Sequence, residues 1–520
     1  MKSSSLLLEL VKKLDQAEKR YIKLSLNNTS TTSKEYCIEI FDLFEKATRQ
    51  VDSTPAQIVV DIKKRITPTN TSYHLVATYN KLLDALRVYH ANKEPRIRIK
   101  NQLADLYVLF DKGLYANCQQ HIESLLAACN KYERPMVHLE LIEWMTALGQ
   151  FTRSGYADKI KYYDALFNDA VVISNNNLAT LKNYINKFKA YSLIQHDSHL
   201  SAKAVREDFN RFVEIQNKEE GEEKYPYQFY LTMHKMELQI LAAGVGKNYK
   251  ECIRLLKEQF SFYKKHKGIV QDILPNGFST VLNNIAYYYY HIGEYSNAIK
   301  LTDKLFRFPE LIFLRVTPIA RADAQVSGYN IKLLSTLRLG LSNKSLEFEE
   351  EIKFFLKSSH ELLEPGKKIE LFYNLARILC TDNKAKHVIY WLNEVINDKN
   401  DDVRVDLKCA ARIMRIITYY DLGEFEFIGN IAKQTKQFIQ KKTSISKSEL
   451  MLLDFLTKKL VFAKSLKSQE ELYRELKYTI ESMSKKETGS LQNLNILAWL
   501  ESKIKNISFA QVVREQAQLT

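Results

Sequence analysis

One stretch restricts the fold of this chain more than any other: Leu282-Asn283-Asn284-Ile285-Ala286-Tyr287-Tyr288-Tyr289-Tyr290-His291-Ile292-Gly293-Glu294-Tyr295-Ser296-Asn297-Ala298. Small and aromatic residues recur along a first helix, Gly293 supplies a tight turn, and a second helix begins near Tyr295 and Ala298. The pattern has a local physical reason. A small residue lets the two helices of a hairpin approach closely, and the aromatic after the turn packs back on the first helix. Neither helix buries its apolar stripe alone, so neighbouring hairpins must stack. The expected class is therefore all-α, an α-solenoid of stacked antiparallel hairpins whose core extends along one axis.

The pattern recurs, unevenly. Leu103-Ala104-Asp105-Leu106-Tyr107-Val108-Leu109-Phe110 leads into Lys112-Gly113-Leu114-Tyr115-Ala116-Asn117-Cys118. Tyr249 and Cys252 keep the aromatic and small positions, with Lys247 in place of the glycine. Gly423, Phe425 and Ile428 form another copy, with Ile at the small position. In the weakest copy Asn383 follows Leu375-Ala376-Arg377-Ile378-Leu379, and asparagine tolerates the left-handed conformation that glycine gives elsewhere. Lys247 and Gly293 are 46 positions apart, and Asn383 and Gly423 are 40 apart. Both exceed a period of about 34, so an irregular array with longer helices or connections is expected.

Only 15 Gly and 9 Pro occur in 520 residues, which fits long helices joined by short connections, and strand signals are absent. A helix is expected from Leu6 to Leu26, ending in the turn-rich Asn27–Ser33. Helices from Lys34 to Gln50, from Pro55 and from Tyr73 to His90 follow. Residues 1–95 are thus expected to form a four-helix N-terminal cap. The charged stretch Asn217-Lys218-Glu219-Glu220-Gly221-Glu222-Glu223-Lys224-Tyr225-Pro226 divides the remainder into solenoid halves, 96–216 and 227–520. Shorter loops are expected at Asn397–Asp402 and Lys485–Ser490.

The formal charge of +15 brings nucleic acid and acidic membranes into consideration. The excess is mostly lysine and is spread among Glu and Asp, as on solvated helix faces. Lys441-Lys442, Lys458-Lys459 and Lys485-Lys486 are its densest points. Six scattered cysteines form no CxxC pair, so buried, reduced thiols and a cytoplasmic location are expected. The apolar run at Leu6-Leu7-Leu8 is too short for a signal peptide, and no apolar run is long enough to span a membrane.

Motifs that carry chemistry are weak. Gly244-Val245-Gly246-Lys247 lacks the earlier glycine of a phosphate loop, and Asn248 stands where Ser or Thr would hold magnesium, so a helix–helix turn is expected. His196-Asp197-Ser198-His199 has no further placed ligands and reads as an inter-helix loop. Glu349-Glu350-Glu351 read as an exposed helix face. No catalytic residue, cofactor or metal is expected.

The helix–turn–helix pattern around Gly293 resembles a tetratricopeptide repeat. Leu14-Asp15-Gln16-Ala17-Glu18-Lys19-Arg20-Tyr21-Ile22-Lys23-Leu24, the run from Leu103 through Gly113 and Tyr115 to Glu133, and the closing Trp499-Leu500-Glu501-Ser502-Lys503-Ile504 are similar to a group of bacterial tetratricopeptide-like proteins without an assigned activity. The resemblance runs along most of the chain. It implies a cytosolic helical solenoid and carries over no catalytic residue. In such hairpins the first helix lines a concave face. With Gly293 as the turn, Ala286 and Tyr289 fall in the core and Asn283, Tyr287 and Tyr290 face the groove. The same register puts Tyr107 and Phe110, and Tyr373 and Arg377, in the groove. Aromatic rings supply contact area at low entropy cost, and amide and guanidinium groups hold peptide backbone or carboxylates. The expected function is a non-enzymatic scaffold that binds a peptide or protein segment. The alternative is a regulator that touches nucleic acid through a basic surface.

Overall fold

The structure, a computed structural model, describes residues 2–27, 34–48, 54–65, 70–91, 94–153, 156–195, 226–274, 276–307, 316–400, 402–441, 447–463, 466–483 and 491–519. The described residues are all-α, with twenty-four α-helices and no strand. The chain divides into two compact units, Met1–Phe278 and Ser279–Thr520. The expected divider at Asn217–Tyr225, and the loop at Lys485–Ser490, lie outside the described residues.

The first unit opens with α1 (Lys2–Lys13), α2 (Gln16–Asn27), α3 (Lys34–Thr48), α4 (Pro55–Arg65) and α5 (Thr71–Ala91), which share a core built on Leu7, Val11, Ile22, Phe41, Phe44, Ile62 and Leu82. The sequence reading ran one helix from Leu6 to Leu26. The structure breaks it at Leu14–Asp15, so five helices stand where four were expected. The cause is a reciprocal cap: the Glu18 N–H donates to Asp15 Oδ1 at 2.7 Å, and the Asp15 N–H donates to Glu18 Oε2 at 2.9 Å. Two backbone donors that would be orphaned at the start of α2 are thereby satisfied. The Asp-x-x-Glu signal was legible, but the continuous apolar periodicity on either side concealed it.

Helices α6 (Pro95–Asp111), α7 (Tyr115–Tyr132), α8 (Pro135–Thr152) and α9 (Tyr156–Gln195) pack each on the next. Further on, α10 (Phe229–Val245) pairs with α11 (Tyr249–Lys265), followed by the short α12 (Lys267–Ile273). Pro95 and Pro135 open their helices where a missing N–H costs nothing.

Helix α13 (Gly277–His291) enters the second unit and turns at Gly293 into α14 (Tyr295–Arg307). Then come α15 (Pro318–Arg338), α16 (Ser345–Ser359), α17 (Pro365–Thr381), α18 (Ala385–Ile396), α19 (Val405–Leu422), α20 (Phe425–Lys441), α21 (Lys447–Asp454), α22 (Leu466–Ser482), α23 (Ile496–Lys505) and α24 (Phe509–Leu519). Successive helices from α17 to α20 pack in order, and α15, α17 and α19 also touch one another in sequence. One continuous core runs from Ala322 to Leu500 and encloses Tyr373, Trp391 and Trp499. Starts are capped locally: the Thr317 hydroxyl accepts from the Ala320 N–H, and the Glu364 carboxylate accepts from Gly366 and Lys367.

Six turns share one geometry. Gly113, Lys247, Gly293, Gly340, Asn383 and Gly423 all have positive φ, between 56° and 83°. At Gly293 the N–H donates to the Tyr290 carbonyl at 3.2 Å, and the Glu294 N–H reaches the Tyr289 carbonyl at 2.9 Å. The same pair of bonds recurs at the other five. This left-handed cap satisfies the carbonyls left over at a helix end. The Lys247 turn confirms that Gly244–Lys247 joins two helices. The sixth turn, at Gly340, went unread because no aromatic follows it at the usual place. Lysine at Lys247 bears the left-handed strain that glycine escapes. Lys247→Gly is expected to raise stability by up to about 1 kcal/mol, less the larger entropy that glycine loses on folding. Urea-unfolding midpoints check this, and a lower midpoint refutes it.

Candidate binding surfaces

The core register around Gly293 holds: Ala286 and Ala298 are buried together against Ile331, with Tyr289, Tyr290 and Leu301 packed on them. Four successive tyrosines cannot share one helical stripe. Tyr287 stands 47% exposed, its ring 4.3 Å from that of His291. Tyr290 is half-buried, with its ring 5.5 Å from Tyr295. Its hydroxyl meets Arg338 Nε at a long 3.4 Å.

The groove register does not extend to two residues expected there. Asn283 is buried, and its amide donates to the Ala324 carbonyl at 2.9 Å, tying α13 to α15. Tyr373 is fully buried in the core of α17, where burial pushes its hydroxyl above the usual phenol range. The register marked both as facing outward, but α15 meets Asn283 and the shared core of the second unit encloses Tyr373.

Arg377 is where the expected face gains charge. It is partly exposed, but its Nε is buried without a hydrogen-bond partner. Burial pushes the guanidinium below its usual value; Tyr373 and Tyr290 oppose this, and Arg338 adds to it. Tyr290 of α13 and Arg338 of α15 are in contact, and Arg377 of α17 lies within electrostatic reach of both. Arg338 was missed, although it lies two residues before the Gly340 turn and identifying that turn would have flagged it.

Tyr107 and Phe110 belong to the first unit and to a different setting. The Tyr107 ring, 57% exposed, lies edge-on to Trp144 at 4.7 Å, and Phe110 meets Trp144 at 5.5 Å. Tyr115 stacks on Phe151 at 4.4 Å. Trp144 and Phe151, spaced seven apart on α8, complete an aromatic cluster that the sequence reading left half-named.

A cleft of about 820 Å³ opens in the second unit at the turns around Asn383, Gly423 and Asn506. Its wall carries Tyr420, Tyr473, Phe425, Phe509 and Trp499. Several polar groups there are already engaged. Trp499 Nε1 donates to Asp421 Oδ2 at 3.0 Å, Lys503 pairs with Asp421 Oδ1 at 2.8 Å, and the Tyr420 and Tyr473 hydroxyls bond at 2.9 Å. Burial pushes the Cys380 thiol up to about 12, which removes it as a nucleophile near neutral pH.

The acidic run at Glu349 is not a uniformly exposed face. Glu350 and Glu351 are exposed, but Glu349 is 2% exposed and accepts from Trp391 Nε1 at 2.9 Å. One turn of α16 places it inward because α18 lies against that side. His196, Asp197, Ser198 and His199 lie outside the described residues. Among the described residues no group of three or more His, Cys, Asp or Glu is placed to hold a metal ion. No helix among them is long and apolar enough to cross a membrane. Five cysteines are buried and Cys380 is partly so, all as free thiols. Lys458 and Lys459 pair with Asp454 and Glu475.

Neither protein-family models nor curated proteins match this chain.

Proposed function

We propose that this chain is a non-enzymatic interaction protein, a degenerate tetratricopeptide-like solenoid that holds an extended segment of a partner protein. The observation that carries the reading is the company of Tyr287, Tyr290, Arg338 and Arg377. All four sit on helices that run directly into a left-handed turn, and they join exposed ring area to guanidinium groups. Tyrosine and arginine are among the side chains most often dominant at protein interfaces: tyrosine supplies contact area at low entropy cost, and arginine supplies a planar fork of donors. The six matching turns support the hairpin architecture. Of the densest basic points, Lys458 and Lys459 offer less to nucleic acid, because carboxylates engage them.

The test is affinity capture from the native host with the full chain and with Tyr287→Ala and Tyr290→Ala. Each substitution is expected to weaken partner binding about tenfold or more, the effect of losing a central aromatic anchor. If both leave every captured partner's affinity unchanged, this face is not the interface.

A further inference from the structure

We infer that Arg338 and Arg377, with the Tyr290 hydroxyl, form a carboxylate-binding subsite that takes an acidic side chain of a peptide. This rests on the reading that the face holds a protein segment, and it names what one part of that segment must be.

The argument starts from what the two arginines lack. A guanidinium offers five donors, and one removed from water ordinarily meets a carboxylate. Elsewhere in the second unit Arg412 and Arg514 donate to backbone carbonyls and Arg415 to the Asn393 amide oxygen, while others meet carboxylates. Arg404 pairs with Glu370 and Asp406, and Arg474 with Glu470. Arg377 makes no side-chain hydrogen bond or ion pair with any described residue, and its Nε is sealed from solvent without a partner. Arg338 has only the 3.4 Å contact to the Tyr290 hydroxyl. The groups that act on Arg377 are Tyr373, Tyr290 and Arg338, and no carboxylate is among them. Two like charges from adjacent helices thus converge on a phenol, with no described countercharge. An arrangement that repels itself in the free protein is relieved by an anion.

The chemistry selects the kind of anion. Two planar forks suit the two oxygens of a carboxylate, and Tyr290 adds a further donor. Nucleic acid calls for a track of cations along a backbone. Here the groups that act on Arg338 are the Tyr290 and Tyr295 hydroxyls, and the Tyr290 ring lies 5.5 Å from that of Tyr295. One isolated anion position beside exposed aromatic rings fits an acidic peptide.

The probe is fluorescein-labelled, C-terminally amidated hexaglutamate, titrated against the full chain at low salt, with amidated hexaglutamine and a single-stranded oligonucleotide as comparisons. Hexaglutamate is expected to bind and hexaglutamine to fail. Arg338→Gln and Arg377→Gln should each weaken binding at least tenfold, and added salt should weaken it further. Arg377→Met should abolish binding while leaving the thermal midpoint unchanged or raised, because it removes an uncompensated charge. A merely structural arginine would instead lower the midpoint and leave binding intact, and that result overturns the subsite. It is equally overturned if hexaglutamate does not bind, or if only the oligonucleotide binds through these arginines. Native partners separate the two ideas. If capture depends on Tyr287 and Tyr290 but not on the arginines, the face stands and the carboxylate subsite falls.

Discussion

Glu349→Ala is expected to destabilise the second unit by about 3 kcal/mol, the cost of breaking a buried polar cluster from one side. Glu349 is 2% exposed and meets Trp391 Nε1 at 2.9 Å, Lys353 at 3.1 Å and His387 at 2.6 Å. Lys353 and His387 are about two-fifths exposed and return to water when the carboxylate is lost, so their ion pairs contribute little of the total. Trp391 decides the effect. It is 3% exposed, its N–H then has no acceptor, and the truncated side chain leaves a void between α16 and α18. Glu349→Gln keeps an acceptor for Trp391 and is expected to cost less than half as much. The pH dependence has a definite sign. Burial pushes the Glu349 carboxyl up, but Trp391, Lys353 and His387 outweigh it and hold it below 4.5. A depressed carboxyl contributes stability that is present above the unfolded value and lost as pH falls through the folded one. The gap between the native chain and Glu349→Gln should therefore be full at neutral pH and close progressively below about pH 4.5. Unfolding followed by tryptophan fluorescence measures both. A Glu349→Ala midpoint equal to that of the native chain would falsify the account.

Gly340→Ala should cost about as much, for a different reason. With φ at +66°, any side chain pays about 1 kcal/mol for the left-handed conformation. A Cβ there would also lie 2.8 Å from Arg514 Cα and 3.0 Å from Arg514 N, and against its Cγ. Backbone atoms cannot swing aside, so α24 must move and the 2.9 Å bond from Arg514 Nε to the Gly340 carbonyl is lost. The expected total is at least about 3 kcal/mol, or a midpoint lower by roughly 6–12 °C. Gly293→Ala and Gly423→Ala provide the control. Both positions have positive φ, but nothing lies within 4 Å of the added atom, so each should cost only about 1 kcal/mol. If all three substitutions cost the same, the Arg514 contact has no energetic weight.

The helical class and five of the six shared turns were legible because each depends on a few consecutive residues. A helix end needs a left-handed position, and glycine, asparagine or an aromatic marker betrays it within one turn of chain. The break between α1 and α2 was equally local in the Asp15–Glu18 cap, but a steady apolar rhythm outweighed it. The candidate face was legible only in part. Tyr287 is exposed and Arg377 partly so, whereas Tyr290 packs in part on the core and Asn283 and Tyr373 are buried, because register says which way a residue points from its own helix and not what covers it there.

That division holds for the whole chain. The amino-acid sequence by itself determined where helices turn, since backbone sterics and helix periodicity act over a few positions. Tertiary structure alone decided that Glu349 is buried under Trp391, that Gly340 lies against Arg514, and that Arg338 and Arg377 converge on Tyr290 without a described carboxylate. Those pairs are separated by tens of residues or more, and only the packing of one helix on another sets which side chains share a space and which charges go unanswered.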